Sequence, residues 1–215
     1  MDNVLKAIEL IKNQVREFVV PAVTQVSWRR DPYRVLVSCI LSLRTKDETT
    51  SAASWRLFKI ADTPRKIVKI LLGRLEKIIY PVGFYRVKAQ VILEASRRII
   101  EQFNVQVPNT LDELLTIKGV GRKTANLVLG LGFGIPAICV DTHVHRISNR
   151  LGWVKTKDPY QTEEDLEKII PKREWIDLNT NLVTFGQNIC VPVSPHCSRC
   201  YTKKFCKKIN VTRSR

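Results

Sequence analysis

Residues 115–126 read LTIKGVGRKTAN. Gly119 and Gly121 stand two apart, and Arg122, Lys123 and Thr124 then lead into the apolar run ANLVLGLG. A glycine-rich turn feeding a helix presents backbone N–H groups suited to phosphate. A nucleotide P-loop ending in Lys123-Thr124 would require glycine at 117 and 122, where Ile117 and Arg122 stand. A dinucleotide fingerprint would require a third glycine at Thr124 and a preceding strand, yet LDELLTI has the pattern of a short helix. The stretch therefore reads as helix, tight hairpin, helix. Such a hairpin offers N–H donors to one phosphate of a DNA strand without reading its bases. A structural corner that binds nothing has the same local pattern.

Charge favours the first of these. The 215 residues carry 36 Lys plus Arg against 20 Asp plus Glu, a formal net charge of +16. An excess of that size points to a polyanionic partner, nucleic acid before an anionic membrane surface, because no segment has the form of an interfacial anchor. No run approaches the length of a membrane span. The opening residues MDNVLKAIELIKNQVREFVV scatter charge through an amphipathic pattern and lack the apolar stretch of a signal peptide. The expectation from these features is a soluble, intracellular protein.

Helical periodicity runs through the chain, and no segment alternates as a strand does. Val4, Ile8, Ile11, Val15 and Phe18 repeat at helical spacing. Asp31-Pro32 opens an apolar helix over 33–43, Pro being suited to the first turn. Thr45 and Glu48 have the T-x-x-E spacing of a capping box, predicting a helix from there through Phe58. Further helices are predicted over 63–72, 73–80, 86–104, 110–116, 122–133, 142–151, 163–170 and 172–188. The fold class is all-α. Gly132, Gly134 and Pro136 end the 122–133 helix and turn the chain.

Lys123 falls in the first turn of a helix that is apolar nearly all round, so burial is expected. Burial and the helix macrodipole both act against a cation there and favour a neutral, nucleophilic amine. A lysine that reaches solvent or contacts phosphate fits the same spacing. Asp141 precedes Thr142-His143 as a helix N-cap, and a carboxylate can also stabilise positive charge on a sugar ring. Cys39 and Cys139 sit singly in apolar surroundings, whereas Cys190, Cys197, Cys200 and Cys206 crowd together near the C-terminus. That crowding favours a metal site over disulfides, with zinc and iron–sulfur both open on spacing alone.

KGVGRKTANLVLG, then GIPAICVDTH, then C-x6-C-x2-C-x5-C resembles the endonuclease III family, helix-hairpin-helix DNA glycosylases with a Gly/Pro loop and a following Asp. PYRVLVSCILSLRTKD and VGFYRVKA extend the resemblance to roughly residues 20–208. It implies a two-lobed all-α fold with a DNA-binding cleft between lobes. One lobe spans 25–135; the other joins 1–24 to 136–215 as a discontinuous domain carrying a C-terminal [4Fe-4S] cluster loop. The implied activity is that of a bifunctional DNA glycosylase/AP lyase removing oxidised pyrimidines of the thymine glycol type. Its partner is double-stranded DNA containing damaged bases or abasic sites, bound by a monomer without magnesium.

In that resemblance Lys123 is the nucleophile and Asp141 the essential carboxylate. Gly119, Val120, Gly121 and Arg122 contact DNA through the hairpin, and Cys190, Cys197, Cys200 and Cys206 hold the cluster. Lys203, Lys204, Lys207 and Lys208 add positive charge beside it. Phe84 matches a wedge position where aliphatic residues are common, and an ordinary buried aromatic is the alternative. Arg44 falls where many members carry Gln. His143 belongs to the matched DTH and is expected to contact phosphate or support its neighbours. Lys118 replaces a common hairpin Pro, and the loop VPVSPH lacks a usual basic residue. Three rivals remain: a monofunctional mismatch or adenine-type glycosylase, a non-enzymatic iron–sulfur DNA-binding protein, and a zinc-stabilised module.

Overall fold

The computed structural model describes residues 2–27 and 30–215, and every regular element among them is helical. No helix among the described residues is long and apolar enough to cross a membrane. The chain divides into two compact units, Ala22–Ile135 and Met1–Pro21 with Pro136–Arg215. The division falls in the Gly/Pro turn.

In chain order the helices are α1 (Asp2–Val15), α2 (Ala22–Ser27), α3 (Pro32–Ser42), α4 (Asp47–Ile60), α5 (Pro64–Ile67) and α6 (Leu72–Ile79). There follow α7 (Tyr85–Gln102), α8 (Leu111–Leu115), α9 (Arg122–Leu127), α10 (Thr142–Leu151), α11 (Pro159–Ile169) and α12 (Trp175–Asn188). A π-helical segment, Val128–Phe133, continues α9.

The unit Ala22–Ile135 is built around α3. Its N-cap Asp31 accepts hydrogen bonds from the Tyr33 and Arg34 N–H groups, and Pro32 sits in the first turn, as the sequence predicts. Residues 33 and 35–41 of α3 are buried, so this helix has no solvent face to speak of. It packs against α2, α4, α7, α9 and the π-helical segment. A Cβ on Gly132 would lie 2.8 Å from the Pro32 Cα, so glycine is what lets the π segment close on the start of α3.

The other unit packs α1 and α10 against α12, with Ile8, Ile11, Val144, Ile147, Leu182 and Phe185 in its core. Asp141 caps α10, accepting from the His143 and Val144 N–H groups at 2.9 Å each. Gly152 ends that helix in the left-handed region.

Several local expectations are corrected. The box at Thr45 does not form: α4 has Lys46 at its N-cap with no side-chain cap, because the Thr45 hydroxyl is engaged by Gly83 and Lys88. A side-chain cap forms instead at Thr110, whose hydroxyl accepts from the Glu113 N–H and donates to the Glu113 carboxylate. The 63–72 helix shrinks to α5, since β-branched Ile67, Val68 and Ile70 resist propagation beyond one capped turn. α11 starts earlier than 163, at Pro159 behind the N-cap Asp158. The 172–188 span opens with a 3-10 turn, Lys172–Glu174. The 122–133 span widens from α to π, and α2 is a helix the periodicity did not reveal.

Candidate nucleic-acid interface and cysteine centre

The hairpin is held from below. Ile117 and Val120 are buried, while Lys118, Gly119 and Gly121 are exposed. The turn closes through Val120 N–H to Ile117 O, 3.0 Å, and Ala125 N–H to Gly121 O, 2.9 Å. Gly119 has φ +83°, a conformation that disfavours any Cβ. The Val120 side chain therefore belongs to the core, and only its backbone can face a DNA strand. Gly121 is the N-cap of α9 and supplies no side-chain cap to the first turn. Lys118 pairs with Glu94 at 3.1 Å on the surface.

Lys123 corrects the expectation of burial. It is exposed, while residues 124–130 behind it are buried. As the second residue of α9 it sits at the rim of the hairpin, where the buried face of the helix has not yet begun. Its charge reaches inward to Cys39: burial pushes that thiol up to about 12, and the Lys123 charge opposes the rise.

Arg44 and Phe84 come together within the same unit. The Arg44 guanidinium lies over the Phe84 ring, 5.9 Å from its centroid, as a cation–π pair. Phe84 is 62% exposed, which excludes the ordinary buried aromatic. Both residues have left-handed backbones, φ 51° at Arg44 and 57° at Phe84, an uncommon choice for large side chains. Gly83 makes the approach of the two loops possible, since a Cβ there would lie 2.7 Å from the Arg44 carbonyl oxygen.

Sequence reasoning passed over the residue beneath this pair. Lys88 is 6% exposed, and its Nζ donates to Leu41 O (2.9 Å), Leu43 O (2.5 Å) and Thr45 Oγ1 (2.9 Å). Desolvation pulls its pKa down to about 8. Two of these partners are carbonyls and the third is a hydroxyl, so the three N–H bonds of an ammonium can serve all of them at once. The one available signal was a lysine on the inward face of α7; its acceptors are remote in sequence.

In the second unit His143 Nδ1 accepts from the Arg146 guanidinium at 3.2 Å, which leaves Nε2 as its N–H. His145 turns to Thr162, with Nδ1 2.6 Å from Oγ1.

Cys190, Cys197, Cys200 and Cys206 line one cavity with Leu151, Phe185, Ile189 and Val211. No three His, Cys, Asp or Glu side chains among the described residues converge as ligands of a single ion would. The buried Arg150 donates to the Cys190 sulfur at 3.6 Å and to the Val191 and Pro192 carbonyls at 2.8 and 2.6 Å. Burial pushes the Cys190 and Cys206 thiols up; the Arg150 hydrogen bond opposes this at Cys190. Four sulfurs around one apolar-lined cavity, with a cation beside them, are a donor set that fits an iron–sulfur cluster.

The irregular chain after Cys206 straps this loop. Ile209 N–H donates to Arg150 O at 3.1 Å. Further on, Arg215 N–H donates to Pro195 O at 2.8 Å and Arg215 O accepts from Ser198 N–H at 2.9 Å. The Arg215 guanidinium also donates to Ser194 O at 3.2 Å, which brings a cation to the VPVSPH loop that has no Lys or Arg of its own.

Comparison with known proteins defines the class. Residues 37–172 match the HhH-GPD superfamily base excision DNA repair protein family. Endonuclease III of Thermotoga maritima is 50% identical over 177 residues, covering 82% of this chain and 83% of that one. A solved structure of a trapped endonuclease III–DNA covalent intermediate, showing an estranged adenine, superposes with a TM-score of 0.78 at 38% identity, covering 83% of this chain and 84% of that one. A thermostable thymine-DNA glycosylase has the same TM-score, 0.78, at 27% identity, covering 93% and 96%. Endonuclease III homologues of Arabidopsis thaliana and Gallus gallus are longer, and the chain spans 48% and 63% of them. The chain belongs to the endonuclease III family of base excision DNA glycosylases/AP lyases.

Proposed function

We propose that this base excision glycosylase/AP lyase removes oxidised pyrimidines of the thymine glycol type from double-stranded DNA and then nicks the abasic strand. The observation that carries the reading is Lys123 itself, an exposed amine in the first turn after an exposed hairpin. The hairpin backbone at Gly119, Val120, Gly121 and Arg122 takes one phosphate, which sets the sugar beside the lysine.

Lys123 Nζ forms a bond to C1′ as the N-glycosidic bond breaks and the base departs with a proton. Ring opening gives an imine between Nζ and C1′. Loss of a C2′ proton then breaks the C3′–O3′ bond, cutting the strand 3′ to the lesion by elimination, without magnesium. Asp141 supports positive charge on the sugar and nucleophile activation while its oxygen also caps α10. Arg44 and Phe84 occupy the space left by an extruded nucleotide, and the exposure of Phe84 supports that role. His143 contacts phosphate through Nε2–H.

Cys190, Cys197, Cys200 and Cys206 hold one [4Fe-4S] cluster, which supplies structural cross-linking of the C-terminal chain. Lys203, Lys204, Lys207 and Lys208 place charge beside it. The enzyme acts as a monomer in the cytoplasm. The likeness to a thymine-DNA glycosylase favours a second reading, base removal without strand cleavage. Lys123 argues against it, because relatives of that type generally lack this lysine.

Borohydride trapping on duplexes carrying thymine glycol or an abasic site tests the proposal. A covalent adduct in the wild type, absent in Lys123→Ala, is expected. No adduct on either duplex would overturn the lyase assignment of Lys123.

A further inference from the structure

Two loops carry Arg44 and Phe84, and one buried ammonium joins them. Lys88 lies one turn into α7 from Phe84, its own N–H donating to the Phe84 carbonyl at 3.0 Å. Its Nζ reaches the end of α3 and the loop beyond, taking Leu41 O, Leu43 O and Thr45 Oγ1. These acceptors flank Arg44 on both sides. Thr45 Oγ1 in turn accepts from Gly83 N–H at 3.2 Å, next to Phe84. The network closes a ring from one loop, through the ammonium, back to the other.

We propose that Lys88 is a positioning residue for base extrusion, setting the separation and orientation of Arg44 and Phe84. This deepens the reading of those two as the extruding pair and rests on it. Lys88 is too buried to touch DNA itself. Its effect reaches the substrate through the two loop residues, whose left-handed backbones are tolerated because the surrounding bonds over-determine them. Work on a base that must leave a duplex stack depends on that spacing. Elimination at an abasic site in single-stranded DNA has no stack to disrupt.

The readout is therefore the ratio of two single-turnover rates: thymine glycol release from duplex, and strand cleavage at a single-stranded abasic site. Lys88→Met keeps an unbranched stem and removes the donors. It is expected to lower the ratio about ten-fold or more, comparable to losing one preorganised charge-assisted bond network. Thr45→Val, which removes one acceptor and the Gly83 tether, lowers it less and serves if Lys88→Met folds poorly. In an Arg44→Ala/Phe84→Ala background, Lys88→Met adds nothing, as expected of residues acting as one unit. An unchanged ratio in Lys88→Met and Thr45→Val, with a lowered ratio in Arg44→Ala/Phe84→Ala, overturns the role of Lys88 alone. An unchanged ratio in Arg44→Ala/Phe84→Ala overturns the extruding pair and the present proposal together.

Discussion

Replacing each hairpin glycine by alanine separates what the turn needs for folding from what it needs for DNA. At Gly119 a methyl group meets two obstacles. The backbone has φ +83°, which costs an L-residue about 1–2 kcal/mol. The new Cβ would also lie 2.5 Å from Val91 Cγ1 on α7, and valine is stiff about χ1. Overpacking of that kind costs about 1–3 kcal/mol. Gly119→Ala is thus expected to lose about 2–5 kcal/mol, and about 2–4 °C in Tm for each of these. At Gly121 φ is −94°, and nothing lies within 4 Å of where a methyl group would stand. Gly121→Ala should lose only the N-cap preference of glycine over alanine, about 1 kcal/mol or less, while weakening DNA binding, since the methyl intrudes where the proposed phosphate approaches. Thermal unfolding and fluorescence anisotropy on an abasic-analogue duplex measure the two effects. Val91→Ala in the Gly119→Ala background should recover the steric part only. Equal destabilisation by the two alanines, or none by Gly119→Ala, would refute the reasoning.

Asp141→Ala removes the cap of α10 and should cost about 1 kcal/mol, whereas Asp141→Asn retains an acceptor and stays close to wild type in stability. Both should abolish base release if the charge supports the sugar, and a wild-type single-turnover rate in Asp141→Asn would exclude that role. Binding to undamaged duplex should fall about 10³–10⁵-fold between about 50 and 200 mM salt if six to ten phosphates are contacted; a flat titration contradicts phosphate-centred binding. Cys39 is raised from 9.0 to about 12 by burial. Its unfolded form ionises first, so the stability it contributes is whole below about 9 and declines as pH rises towards about 12. Thiol alkylation below that range should accordingly spare Cys39 until the protein unfolds, and prompt labelling of the folded chain would count against its burial.

The hairpin was legible because glycine spacing is a local property and the two nucleotide templates fail at identifiable positions. Asp141 was legible as a cap for the same reason: the acceptor lies within three residues of the N–H groups it serves. Thr45 shows where such reasoning stops. Its T-x-x-E spacing is correct, yet Gly83 and Lys88 compete for the hydroxyl from far along the chain. Lys88 was invisible for the complementary reason, since nothing within α7 names the carbonyls that accept from it. Lys123 was misjudged because the helix behind it is apolar, and burial depends on how far into a helix the packed face begins. The pairing of Arg44 with Phe84 needed two loops brought together by tertiary structure.

The helix α1 belongs to the unit completed by residues 136–215, while the intervening unit is continuous in sequence. A ribosome therefore delivers α1 well before its packing partner α12. At about 5–20 residues per second, roughly 9–35 s separate the appearance of Val15 from that of Asn188. During that interval the whole Ala22–Ile135 unit can assemble, hairpin included, while Ile8 and Ile11 have no core to enter. The nascent chain thus carries its hairpin before Cys190, Cys197, Cys200 and Cys206 exist, and an uncovered apolar stripe on α1 persists until α12 emerges.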